Sequence, residues 1–160
     1  MSDDPIAYFI TWTVYGTFLQ GDERWWSQRR KGKIAPEPRL ERFHRSRLKH
    51  DVILLTPLQR NLVEAEVERL CNFRNWHVRS NNPRSNHVHV VVGAPGVSGA
   101  KVRDQLKANC TRVLRENHPI FVGRPVWTVG GDWKSINSEE ELMQVILYVD
   151  EAQDRKDRDA

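Results

Sequence analysis

Apolar positions along the chain change period several times, and each change marks an element. Ile6 to Tyr15 is a nearly continuous run of β-branched, aromatic and aliphatic residues ended by Gly16, which predicts a buried strand. After Thr56-Pro57-Leu58-Gln59, a capping-box start, Leu62, Val63, Val67, Leu70 and Phe73 recur at helical spacing to about Arg74. Trp76 to Ser80 and His87 to Val92 read as two strands of a hairpin, with Asn81, Asn82 and Pro83 as turn residues between them. Ser98 caps a second helix carrying Val102, Leu106, Cys110, Val113 and Leu114, ended by Asn117-His118-Pro119. Val126 to Ile136 reads as a strand pair around Gly130-Gly131. Ser138 with Glu141 then starts a last helix whose core stripe is Leu142, Val145, Ile146 and Val149. This order predicts an α+β class: a ferredoxin-like antiparallel sheet with helices packed on one face. Residues 1–153 form one expected domain, with a basic insertion over about 22–50 and a charged tail, 154–160, expected to fray.

Composition narrows the class. The 160 residues suffice for one core, and 29% charged residues of both signs argue against compositional disorder. No apolar run reaches membrane-span length, and the acidic start, Met1 to Pro5, lacks the form of a secretory leader, so no membrane partner and a cytoplasmic location are expected. Cys71 and Cys110 each sit in a helical apolar pattern and read as buried free thiols.

The net charge of +4 is unevenly spread. Between Arg24 and Lys49 there are ten Lys or Arg against two acids, with Trp25, Trp26, Phe43 and His44 interleaved. Basic groups beside aromatics suit a phosphate backbone with bases stacked nearby. The candidate DNA-binding residues are Arg24, Trp25, Trp26, Arg29, Arg30, Lys31, Lys33, Arg45, Arg47 and Lys49. A solvated loop without a partner accounts for the same composition.

His87-Val88-His89 lies within a predicted strand, so both imidazoles share one face. Such a pair can ligate one divalent ion, or be two polar residues on a solvated sheet face. Tyr148 lies about 120° from the middle of the last helix's core stripe. It is either a boundary residue with a wet hydroxyl or a nucleophile. A phenol is a poor nucleophile unless the charge of the reaction is stabilised, which a metal bound to a phosphate would do.

Four segments together resemble the IS200/IS605-like (Y1, single-tyrosine HUH) transposases and their repeat-associated relatives. They are Ile10 to Leu19 with Gly21-Asp22, Arg84 to Val92, Val126-Trp127-Thr128 with Gly130-Gly131, and Tyr148-Val149 with Gln153. They run from about residue 8 to 153. The resemblance implies a transposase that nicks and rejoins single-stranded DNA, often carrying a hairpin, through a 5′-phosphotyrosine on Tyr148. It implies Mg²⁺ or Mn²⁺ on His87 and His89. It also implies a homodimer whose tyrosine serves either subunit's metal site, although some relatives act as monomers. The family's third ligand stands four residues after the tyrosine, where this chain has Ala152; Gln153 is the leading substitute and Glu151 the next. On a regular helix Gln153 would lie about 140° from Tyr148. Two other readings are a domesticated hairpin-binding protein that does not cut, and a metal-dependent hydrolase of small phosphates that ignores Tyr148.

Overall fold

The computed structural model describes residues 4–17, 27–28, 32–33 and 48–152. Its elements are β1 (Ala7–Thr13), the two-residue strands β2 (Ser27–Gln28) and β3 (Gly32–Lys33), α1 (Pro57–Arg74), β4 (His77–Pro83), β5 (His87–Gly93), α2 (Gly99–Asn117), β6 (Asp132–Ile136) and α3 (Glu139–Leu147). A π-helical turn, Tyr148–Ala152, continues α3. The main sheet is antiparallel in the order β4-β5-β1-β6, and among the described residues β2 pairs with β3.

Strand alternation divides the core in two. Tyr8, Ile10 and Trp12 of β1 and Val88, Val90 and Val92 of β5 face α1 and α2, meeting Val63, Val67 and Leu70 from one helix and Val102, Leu106, Cys110 and Leu114 from the other. Ala7, Val91 and Ile136 point the opposite way and pack under Leu142 and Val149, flanked by Phe9, Val145 and Ile146. The α+β class and antiparallel sheet are as predicted, and the two long helices share a face. The last helix covers the other face, because the odd-numbered positions of β1 and β5 are apolar enough at one end to need a cover. β5 is therefore buried along its whole length, which explains its unbroken apolar reading after His89.

The three N-caps form where predicted. Thr56 and Gln59 make the reciprocal capping box, and Ser98 and Ser138 each accept from the backbone N–H three residues on, which for Ser138 and Glu141 is one half of the capping box expected there. Two predicted turns fall elsewhere. β4 runs through Asn81-Asn82 to Pro83, and the chain reverses at Ser85-Asn86, with the Arg84 N–H donating to the His87 carbonyl at 2.7 Å. Asn and Pro are turn formers by propensity, but both asparagines gain partners in the strand: Asn81 donates to Glu64 O (3.0 Å) and Asn82 to Val149 O (2.8 Å). Pro83 ends an edge strand, where its missing N–H costs little.

Nor is Val126–Ile136 a hairpin. β6 pairs with β1 through Ala7↔Ile136 to Thr11↔Asp132, while Val14 bridges Trp127 and the Thr128 N–H donates to Thr13 O at 3.0 Å. Both segments follow the same edge of β1, and Gly130-Gly131 is a detour between them. Gly131 has φ 109°, and a Cβ there would meet Thr11 O at 2.9 Å, so the detour needs glycine.

Candidate nucleophile and metal site

The site stands on the α3 face of the sheet, at the end where β1 and β5 carry polar residues. Cross-strand register lines up Thr13 with His87, and Thr11 with His89 and then Asn82. His87 and His89 are 0% and 2% exposed, which removes the reading as polar residues on a solvated face. Their ring centroids are 4.5 Å apart.

Each imidazole is held through Nδ1. His87 Nδ1 lies 2.6 Å from Asn86 Oδ1. With the amide so oriented, the oxygen can only accept, so neutral His87 carries its proton on Nδ1 and its lone pair on Nε2. His89 Nδ1 lies 2.9 Å from Thr11 Oγ1, which can accept in the same way. An acceptor bonded to Nδ1 in this way holds the proton there and leaves Nε2 able to bind a metal. Asn86 is itself 3% exposed, and its carbonyl accepts from the Val14 N–H (2.9 Å) and the Thr17 hydroxyl (3.0 Å).

Tyr148 begins the π turn. It is 42% exposed, while Val149 beside it is completely buried. Its ring centroid lies 6.0 Å from that of His89 and 6.3 Å from that of Phe9, both edge-on. Phe9 also packs against His89 at 5.3 Å, so it forms an apolar wall shared by the histidine and the tyrosine. The displacement of Tyr148 from the core stripe is thus as the helix angle predicted. The structure brings it to the histidines of its own chain.

The other sequence candidates fall mostly outside the described residues. Glu151 is exposed on the π turn. Gln153, Arg24, Trp25, Trp26, Arg29, Arg30, Lys31, Arg45 and Arg47 lie outside the described residues, as does the side chain of Lys33. Lys49 is exposed, and its backbone N–H donates to the Tyr15 hydroxyl at 3.1 Å. Among the described residues no group of three or more His, Cys, Asp or Glu is arranged to hold a metal. The two histidines fit as half of a donor set, with oxygen ligands from elsewhere completing it. Thr11, Asn82 and Phe9 are site residues that sequence reasoning missed. Only register, invisible before the pairing is known, places them beside His89. For Asn86 the signal was adjacency to His87.

No protein-family profile matches the chain, and no curated protein does. Solved structures do match. A protein of Deinococcus radiodurans R1 assigned as a transposase superposes with a TM-score of 0.53 at 12% identity, covering 91% of this chain and 88% of that one. A REP-associated tyrosine transposase bound to a REP hairpin gives 0.55 at 9% identity, over 93% of this chain and 67% of that one. The chain has the tyrosine-transposase fold. At these identities the likeness extends to the fold alone, so the residues of the site rest on their geometry here. No described helix is long and apolar enough to cross a membrane.

Proposed function

We propose that this chain is a DNA transposase of the single-tyrosine kind, in which Tyr148 is the nucleophile and His87 and His89 bind a divalent cation, Mg²⁺ or Mn²⁺. The observation that carries the reading is the 6.0 Å approach of the Tyr148 ring to His89 within one chain, beside a second buried imidazole 4.5 Å from the first. A divalent ion there would draw charge from the non-bridging oxygens of a bound phosphate. The Tyr148 oxygen attacks phosphorus, the phosphorus–O3′ bond breaks, the phenolic proton is lost and the departing 3′ oxygen gains one. The product is a 5′-phosphotyrosine, which retains the bond energy for rejoining. The Phe9 ring, packed against both Tyr148 and His89, limits the directions the phenol can take.

The substrate in this reading is single-stranded DNA with a hairpin beside the cut, as the hairpin-bound neighbour is consistent with, and the basic insertion supplies backbone contacts. The third ligand in this reading is Gln153, with Glu151 behind it. The π turn Tyr148–Ala152 means that α-helical spacing is not kept over the residues between Tyr148 and Gln153. A homodimer would then hold two such sites, each built within one chain.

The test is incubation of the protein with labelled single-stranded DNA carrying the flanks of its own gene, with Mn²⁺. A covalent protein–DNA species absent from Tyr148→Phe supports the reading. An adduct that persists in that variant removes Tyr148 as nucleophile, and salt-dependent hairpin binding with no adduct under any divalent ion identifies a domesticated binding protein.

A further inference from the structure

The residues after Tyr148 are fastened to the sheet at three successive points. The Val149 side chain is completely buried against Ala7, Val91, Ile136 and Leu142. The Val149 carbonyl accepts from Asn82 Nδ2 at 2.8 Å. The Asp150 carboxylate accepts from the Ser80 hydroxyl. Ser80 and Asn82 are alternate residues of the edge strand β4, opposite Val91 and His89 of β5, so the fastening row is continuous with the histidine row.

A helix end leaves carbonyls without intrahelical donors, and a π turn spaces the donors further apart. The Asn82 amide supplies such a donor to Val149. Asp150 would otherwise hang in solvent at the end of an exposed turn, and its bond to Ser80, 7% exposed, pins the backbone one residue further on. Tyr148 is 42% exposed, so the backbone of the turn, together with the ring contacts to Phe9 and His89, decides where it points.

From this geometry we infer that Ser80, Asn82 and Asp150 are positioning residues: they hold the π turn so that Tyr148 addresses the His87/His89 pair of its own chain. The inference rests on the nucleophile reading above. It assigns to β4, otherwise a plain edge strand, control over where the attacking oxygen sits. A misplacement of about 1 Å at a reacting atom costs on the order of 100-fold in rate, so loss of either side-chain tie should be visible in chemistry before it is visible in folding.

The experiment compares Asn82→Ala, Asn82→Asp, Asp150→Ala and Asp150→Asn with wild type in full-length protein. Three quantities are read: the single-turnover rate of DNA attachment with Mn²⁺, the affinity for the same DNA without metal, and hydrogen exchange of the segment spanning 144–152 without DNA. Asp150→Asn keeps an acceptor for Ser80 and should stay within about 3-fold of wild type, while Asp150→Ala and both Asn82 variants lose about 10- to 100-fold in attachment rate. Asn82→Asp, which fills the same space but presents an acceptor to a carbonyl, should be at least as slow as Asn82→Ala. DNA affinity should be unchanged in all four, and exchange of the turn faster in the three slow variants. Equal rates across the series, or Asp150→Asn as slow as Asp150→Ala, would overturn the inference. If wild type attaches no DNA, the nucleophile reading falls, and unaltered exchange of the turn would dispose of the clamp independently.

Discussion

Asn86→Ala isolates the part of the site that sets the histidine tautomer. The side-chain amide is bonded to His87 Nδ1 at 2.6 Å, while the tie to Val14 and Thr17 runs through the Asn86 backbone carbonyl and survives the substitution. The variant therefore strips one acceptor from a buried imidazole and leaves the Ser85-Asn86 reversal in place. A buried donor without its acceptor costs about 1–3 kcal/mol, so a modest fall in the denaturant midpoint is expected. In the metal-binding reading the larger effect falls on the affinity for the ion. Without the acceptor the proton is no longer held on Nδ1, and loss of such an outer-shell partner lowers affinity by about 10- to 100-fold. Calorimetric titration with Mn²⁺ on folded protein measures this directly, and nitrogen-15 shifts of the imidazole report which ring nitrogen carries the proton. Asn86→Asp keeps an acceptor in place and should restore affinity to within about 3-fold of wild type or better. Wild-type Mn²⁺ affinity in Asn86→Ala, or equal weakness in Asn86→Asp, would refute the assignment of Nε2 as the metal-facing nitrogen.

Tyr148→Phe should abolish DNA attachment while changing stability by less than about 0.5 kcal/mol, since the residue is 42% exposed; thermal unfolding and gel analysis of adducts test both halves. If the proposed nucleophile and histidines of one chain work together, a mixture of Tyr148→Phe and His89→Ala proteins should recover no attachment; recovery would show that the tyrosine crosses between copies. Leu142→Ala, at a fully buried position under the site, should cost about 2–5 kcal/mol in urea unfolding. Burial holds the Cys71 thiol up at about 12 against an ordinary 9.0, so the folded state keeps a proton that the unfolded chain gives up. Stability contributed by this group is intact below pH 9 and declines as pH rises from there towards 12, which unfolding curves on wild type and Cys71→Ala across that range would resolve.

Elements defined by their own period were legible in the sequence. The strand from Ile6, both long helices and all three N-cap residues fall where apolar spacing and capping chemistry put them. The failures came where local preference met a partner distant in sequence. Asn81 and Asn82 look like turn residues until Glu64 and Val149 supply acceptors for their amides. Gly130-Gly131 looks like a hairpin apex until β1 takes both flanking segments on one edge. In the site, the alternation of His87 and His89 was readable from spacing, but their burial was not. It depends on α3 crossing to that face, which no spacing within β5 reveals.

That crossing also explains why Tyr148, the proposed nucleophile, sits at a break in regular structure. Val149 is buried and closes the smaller core, while Tyr148 next to it stays partly in water, as the proposed attack on DNA requires. An α-helix continuing past Leu147 fixes the angle between these two needs. The π turn beginning at Tyr148 changes it, and widened turns of this kind recur at functional sites because they re-aim a side chain without unravelling the helix.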